Sequence, residues 1–231
     1  MPSPRYAIAY TPLPSSPLAR FGASVLGYDC FDRLDVPRLL LPRLDPAVLG
    51  LATVEPRRCG FHAKLVAPFR LNGSHQADVD DALERFARTH PPVAIGPLEV
   101  AAIGSYVALV PAQPDAKLAE FAAACLKDLD RFSAPLTPAE RERRTTNGLT
   151  ERQLQLLARW GDAHVLDQFQ FQLRLVGPIS SREAELFKAI LSGAFAMLAH
   201  DHVELDGISL MRQDDAGKRF FVLARHRLTG V

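Results

Sequence analysis

Two short stretches hold the residues of this chain best suited to chemistry. Residues 61–69 read Phe-His-Ala-Lys-Leu-Val-Ala-Pro-Phe, and residues 171–179 read Phe-Gln-Leu-Arg-Leu-Val-Gly-Pro-Ile. Aligned, Phe61 meets Phe171, His62 meets Gln172, Lys64 meets Arg174 and Pro68 meets Pro178. One segment thus occurs twice, once with a histidine and once without. Side chains alternate along a strand, so His62 and Lys64 share one face, as do Gln172 and Arg174. Together the faces offer an imidazole, an amide, an ammonium and a guanidinium. The guanidinium fork and the compact ammonium suit a phosphate or a carboxylate. The imidazole titrates near neutrality and can move a proton. Glutamine can donate and accept hydrogen bonds but cannot act as acid or base at pH 7.

The elements that must position these residues follow from turn signals and periodicity. A strand is expected over residues 5–11, with Tyr6, Ile8 and Tyr10 on one face; Tyr10 is assigned to the substrate side. A helix over 15–26 starts at Ser-Ser-Pro and stops at Gly27. A short helix is expected near 46–51, then a basic turn over 55–60 that enters the first motif strand. Helical spacing of apolar residues predicts helices over 77–89, 114–132, 150–160 and 180–199. Strands over 93–103 and 106–110 are joined through Gly104-Ser105, and 203–211 and 220–226 form a closing hairpin. The second motif strand is placed near 169–176. Thr137-Pro138 starts a further helix whose charged run, 140–144, reads as a solvated face. Each half then contains a motif strand, a helix and a hairpin. This predicts a pseudo-duplicated, two-lobed α+β fold: one domain over 1–231, with two antiparallel sheets facing across a central cleft and helices outside.

Composition bounds the function. The 231 residues are 48% hydrophobic, enough for a substantial core. The net charge is only +1, so an anion site must be local, and no basic tract supports RNA as a partner. Three scattered cysteines, Cys30, Cys59 and Cys125, give neither a disulfide framework nor zinc-ligand spacing, and reduced thiols suit the cytoplasm. No secretory signal pattern and no apolar run of membrane-spanning length is read in the sequence.

The doubled strand resembles the two-histidine (2H) phosphoesterase superfamily. The whole chain is similar to the branch associated with phosphonate metabolism. The likeness rests on Arg5-Tyr-Ala-Ile, on Ser16-Pro-Leu-Ala-Arg-Phe-Gly22 and on the run from Pro56 through the first motif to Leu71. It continues in Ala108-Leu-Val-Pro-Ala112, Arg152-Gln153, Trp160-Gly161 and Asp167-Gln-Phe-Gln-Phe171. The resemblance implies two His-x-Thr/Ser motifs facing across a cleft. It implies metal-free and cofactor-free cleavage of a phosphodiester, with one histidine as base and the other as acid. Here His62 matches the first histidine and Lys64 the first hydroxyl residue. Gln172 matches the second histidine and Arg174 the second hydroxyl residue. Cys59 and Val66 also depart from the branch, where tyrosine and lysine are usual. Proton-transfer capacity is reduced and positive charge is gained. His164 is the best-placed other histidine in the sequence; His75, His90, His200, His202 and His226 read as surface or turn residues.

Three functions stay open on this reading. The first is a phosphoesterase for a small cyclic or nucleotide phosphodiester, using His62, Lys64, Arg174 and Gln172. The second is a catalytically degenerate binding or regulatory protein for a phosphorylated or phosphonate small molecule. The third is a partner-binding scaffold that uses residues 141–144.

Overall fold

The computed structural model describes residues 4–42, 44–113, 115–145, 148–198 and 203–231. His200 and His202 lie outside the described residues. The chain opens with strand β1 (Arg5–Tyr10) and helix α1 (Pro17–Leu26). Ser16 caps α1 by accepting from the Ala19 N–H at 3.1 Å, and Pro17 takes the first turn, where a missing N–H costs nothing. Helices α2 (Pro46–Ala52) and α3 (Val54–Cys59) lead into the first motif strand, β2 (Ala63–Phe69). Helix α4 (Gln76–Thr89) and strands β3 (Val93–Gly96), β4 (Leu98–Ile103) and β5 (Tyr106–Pro111) complete the first half. Helices α5 (Ala116–Leu129), α6 (Pro138–Arg144) and α7 (Glu151–Trp160) connect to the second motif strand, β6 (Leu173–Val176). Helix α8 (Ser181–Phe195) and strands β7 (Val203–Leu205), β8 (Gly207–Gln213) and β9 (Phe221–Arg227) close the chain.

Three local expectations change. The expected turn over 55–60 is the helix α3, which tolerates Pro56 because it falls in the first turn. The strand expected over 93–103 breaks at Pro97, which has no N–H to give to a ladder, after Gly96 at φ 77°. The strand expected over 203–211 breaks at the equivalent place, Asp206. The short pieces β3 and β7 then pair with each other.

Two antiparallel sheets result. The larger runs β4-β5-β6-β2-β1-β8-β9, and the smaller is β3-β7. The two repeats interleave within them. Helix α4 of the first repeat packs on β8 and β9 of the second, and α8 of the second packs on β4 and β5 of the first. The motif strands β2 and β6 are neighbours at the centre, joined through the pair Ala63↔Leu173. Those two residues are equivalent in the repeat, so the pseudo-two-fold axis passes through their pairing.

One face of the large sheet carries the main core, including Ile8, Leu65, Leu173, Leu175, Ile208 and Leu210. The other face carries a small apolar cluster around Ala7, Ala9, Met211 and Phe220. Phe61, at the head of the first motif, is buried over α1, where Gly22 leaves room for its ring. A Cβ at Gly22 would come to 2.1 Å of that ring. Gly22→Ala gains about 1 kcal/mol of helix propensity but forces an overpacked contact costing about 1–3 kcal/mol. A net loss of stability is expected on urea unfolding; a gain would show that the ring moves freely.

Candidate functional site

The site is built on the seam between β2 and β6. Ala63 and Leu173 face each other across it, completely buried on the core side. By alternation, His62, Lys64, Gln172 and Arg174 all project from the opposite face. The antiparallel pairing sets His62 beside Arg174 and Lys64 beside Gln172. All four line one pocket of about 180 Å³, together with Tyr106 and Phe220. The structure therefore brings together four of the five residues singled out by sequence. Tyr10 is not among them. It lies on the core face of β1, 2% exposed, with its ring 5.7 Å from that of Phe171. The Ala7 position of β1 lines the pocket instead, because odd and even residues of a strand face opposite ways.

His62 is held by the turn that precedes it. Helix α3 ends at Gly60, whose φ of 79° with ψ of 168° is open only to glycine. The Gly60 carbonyl lies 3.0 Å from His62 Nδ1 and can only accept, so Nδ1 carries the proton. In this neutral tautomer Nε2 keeps its lone pair. Burial pushes the His62 pKa down to about 4; the Gly60 carbonyl opposes this, and the charges of Arg174 and Lys64 add to it. The ring is a neutral base across the physiological range.

The two cations differ. Arg174 is exposed and lies over the Tyr106 ring, 4.2 Å from its centroid. No carboxylate pairs with it among the described residues, although Glu55 also lines the pocket. Lys64 is ion-paired with Asp162, which is 9% exposed. Burial alone would raise the Asp162 carboxyl, but the Lys64 ammonium, by charge and hydrogen bond, holds it below its usual value. The pocket's uncompensated charge therefore comes from Arg174 more than from Lys64. Asp162 was missed in the sequence because it lies 98 positions from Lys64, outside both motifs. Gln172 contributes a buried side-chain oxygen that has no partner in the protein. A buried acceptor without a donor is costly, and a ligand donor or a water would relieve it.

The other histidines take different places. His164 stands beside the site, its Nδ1 3.9 Å from Asp162, but does not line the pocket. His90 stacks on Phe86 and His226 pairs with Asp80 at 2.7 Å, both far from the motif face. The charged run on α6 is solvated at Arg141, Glu142 and Arg143. Glu140 instead pairs with Arg70, and Arg144 donates to the Pro68 and Gly161 carbonyls. Among the described residues, no group of three or more His, Cys, Asp or Glu is placed to hold a metal ion. No described helix is long and apolar enough to cross a membrane.

Fold and site define an internally repeated α+β protein with a histidine-bearing, cation-lined pocket where its repeats meet. The chain belongs to the family described as protein of unknown function DUF1045, whose model matches residues 64–221. It is 28% identical over 231 residues to a protein of Janthinobacterium sp. (strain Marseille) named ribose 1,5-bisphosphate phosphokinase PhnN, covering 98% of this chain and 51% of that one. It is 29% identical over 217 residues to a protein of the same name from Laribacter hongkongensis, covering 94% and 50%. The chain spans about half the length of these curated relatives. Among solved structures, E. coli LigT complexed with 3'-AMP aligns over 99% of both chains at 12% identity and a TM-score of 0.41. A phosphoesterase aligns over 99% of both at 13% identity and a TM-score of 0.44.

Proposed function

We propose that the pocket binds a small phosphodiester and hydrolyses it, with His62 as the base. The observation that carries this reading is the convergence of His62, Gln172 and Arg174 on one pocket, with the His62 tautomer fixed by Gly60. His62 Nε2 takes a proton from water as the water oxygen bonds to phosphorus. Arg174 holds the non-bridging oxygens, whose charge grows in the transition state. The Gln172 oxygen accepts from a substrate hydroxyl. As the bond to the ester oxygen breaks, that oxygen takes a proton from the Lys64 ammonium, which His62 restores through solvent.

The names of the two longer relatives support a sugar-phosphate substrate. A chain similar to about half of a polypeptide named as a ribose 1,5-bisphosphate kinase has reason to handle phosphorylated ribose. This sequence has no Gly-x-x-x-x-Gly-Lys-Ser/Thr loop, so the kinase step is not proposed for it. Hydrolysis of a cyclic ribose phosphodiester would yield a ribose phosphomonoester, the kind of compound such a kinase consumes. A second reading, a binder without turnover, is favoured by one observation: the position of the second imidazole is an amide.

The first test is hydrolysis of a panel of 2′,3′-cyclic nucleotides by the wild type and His62→Ala in parallel. Turnover in the wild type that vanishes in the variant supports the enzyme. Tight binding with no turnover moves the weight to the binder. The pH profile provides a further check. Because burial depresses His62 to about 4, the base form persists down to that pH. The acid limb of kcat/KM is expected near pH 4, instead of the roughly 6.5 of a free imidazole. A limb near 6.5 would mean that a different, solvated histidine is the base.

A further inference from the structure

We propose that a second anion subsite, formed by Arg5, Arg58 and Arg144, adjoins this pocket, so that its ligand bears a second phosphoryl group. The inference rests on the phosphodiester reading for the first subsite and deepens it. Arg174 lies at the His62 end of β2. The pairing Tyr6↔Phe69 sets Arg5 at the opposite end, on the same face as Ala7. Three separate elements send guanidinium groups there. Arg5, on β1, reaches over the Phe220 ring, 5.9 Å from its centroid. Arg144, the last residue of α6, donates to the Pro68 carbonyl. Arg58, on α3, precedes Cys59. Phe220, Pro68 and Cys59 line the pocket; the three arginines stand at its margin, and Arg144 lines a neighbouring cavity that shares Pro68 with it.

What marks this cluster is its missing counter-charge. Arg5 Nε donates at 2.9 Å to the side-chain oxygen of Gln213, a neutral amide. Arg144 donates to two neutral carbonyls. Neither has a carboxylate partner among the described residues. Of the carboxylates around the cluster, Glu140 is committed to Arg70 and Asp162 to Lys64, while Glu55 lines the pocket. Arg58 has only a loose contact with Glu55, at 3.6 Å. Half-buried guanidinium groups satisfied by neutral acceptors keep their charge unbalanced. The repulsion among them agrees with this, since Arg144, Arg58 and Arg143 each disfavour the charged form of Arg5, after burial. A phosphomonoester dianion would relieve that repulsion and take charge-assisted hydrogen bonds from the forks. The ligand class that fits both ends is a sugar phosphodiester carrying a further phosphate on the sugar.

The test compares binding of 2′,3′-cyclic AMP with that of its 5′-phosphorylated form by titration calorimetry. The added phosphate is expected to tighten wild-type binding by about tenfold or more. Arg5→Met, Arg144→Met and Arg58→Ala should each lose part of that gain, and Arg144→Lys should keep more of it than Arg144→Met. Arg58 is exposed, so its variant guards against misfolding. Equal affinity for the two nucleotides in the wild type, or a gain that survives all three neutral variants, overturns the subsite. Failure of hydrolysis alone would count against the catalytic reading and leave this one standing. If neither nucleotide binds, ribose 5-phosphate decides. Binding of it that weakens more in Arg144→Met than in Arg174→Ala keeps the subsite and removes the diester. No binding removes both.

Discussion

His62→Ala is expected to slow hydrolysis of a cyclic phosphodiester by about a hundred to ten-thousandfold, the range for removing a positioned general base. The effect should be at the high end, because no described histidine other than His62 lines the pocket. His164 is near, but its ring lies beside Asp162 and outside the lining. The loss should fall on kcat more than on KM, since Arg174 still holds the ester oxygens. Stability should change little by comparison: the variant forfeits one hydrogen bond to the Gly60 carbonyl, about 1 kcal/mol. Steady-state kinetics with a parallel urea melt separates the two. Turnover unchanged in a folded His62→Ala would remove imidazole catalysis at this position. Rescue of the slow variant by added imidazole would place the missing base in the cavity.

Much of this arrangement was legible in the sequence, and particular residues show why. The doubled motif announced the duplication because strand alternation constrains both copies alike. His62, Lys64, Gln172 and Arg174 could be put on common faces with no coordinates. Helix starts at Ser16, Thr137, Thr150 and Ser180 were readable because an N-cap is a local signal, and all four accept a backbone N–H. What was not legible is long-range. That α4 covers the hairpin of the other repeat depends on the strand order of the large sheet, and periodicity is silent on that. Tyr10 was misplaced because alternation gives two faces without saying which is wet. Asp162 and Arg144 belong to no motif; only folding brings them to Lys64 and Pro68. The breaks at Pro97 and Asp206 illustrate the middle case. A proline marks the first break locally, but the pairing of β3 with β7 that the two breaks allow is long-range.

Lys64→Met is expected to destabilise the protein by about 3 kcal/mol, through the partner it leaves behind. Asp162 keeps only 12% of its side chain exposed, and the Lys64 ammonium is its ion-pair partner. Its Oδ1 also accepts the His164 N–H at 3.1 Å, which does not neutralise the charge. Lys64 itself is 32% exposed on its side chain, so solvent screens part of the pair, and the cost sits at the low end for a broken buried ion pair. The double variant Lys64→Met/Asp162→Asn removes the stranded charge while keeping an acceptor for His164. It should recover more than half of the loss, a coupling that a double-mutant cycle reads directly. The sign with pH follows from the same pair. The folded Asp162 carboxyl is held below its unfolded value, so its contribution is present above the unfolded carboxyl pKa. That contribution disappears as pH falls through the lower folded value. Wild type and double variant should therefore converge in stability in acid and separate toward neutrality. Equal denaturation midpoints for wild type and Lys64→Met at pH 7 would mean that Asp162 finds another partner. The ammonium would then be free to serve the phosphate in full, and Lys64 and Arg174 would share the first anion site as equals.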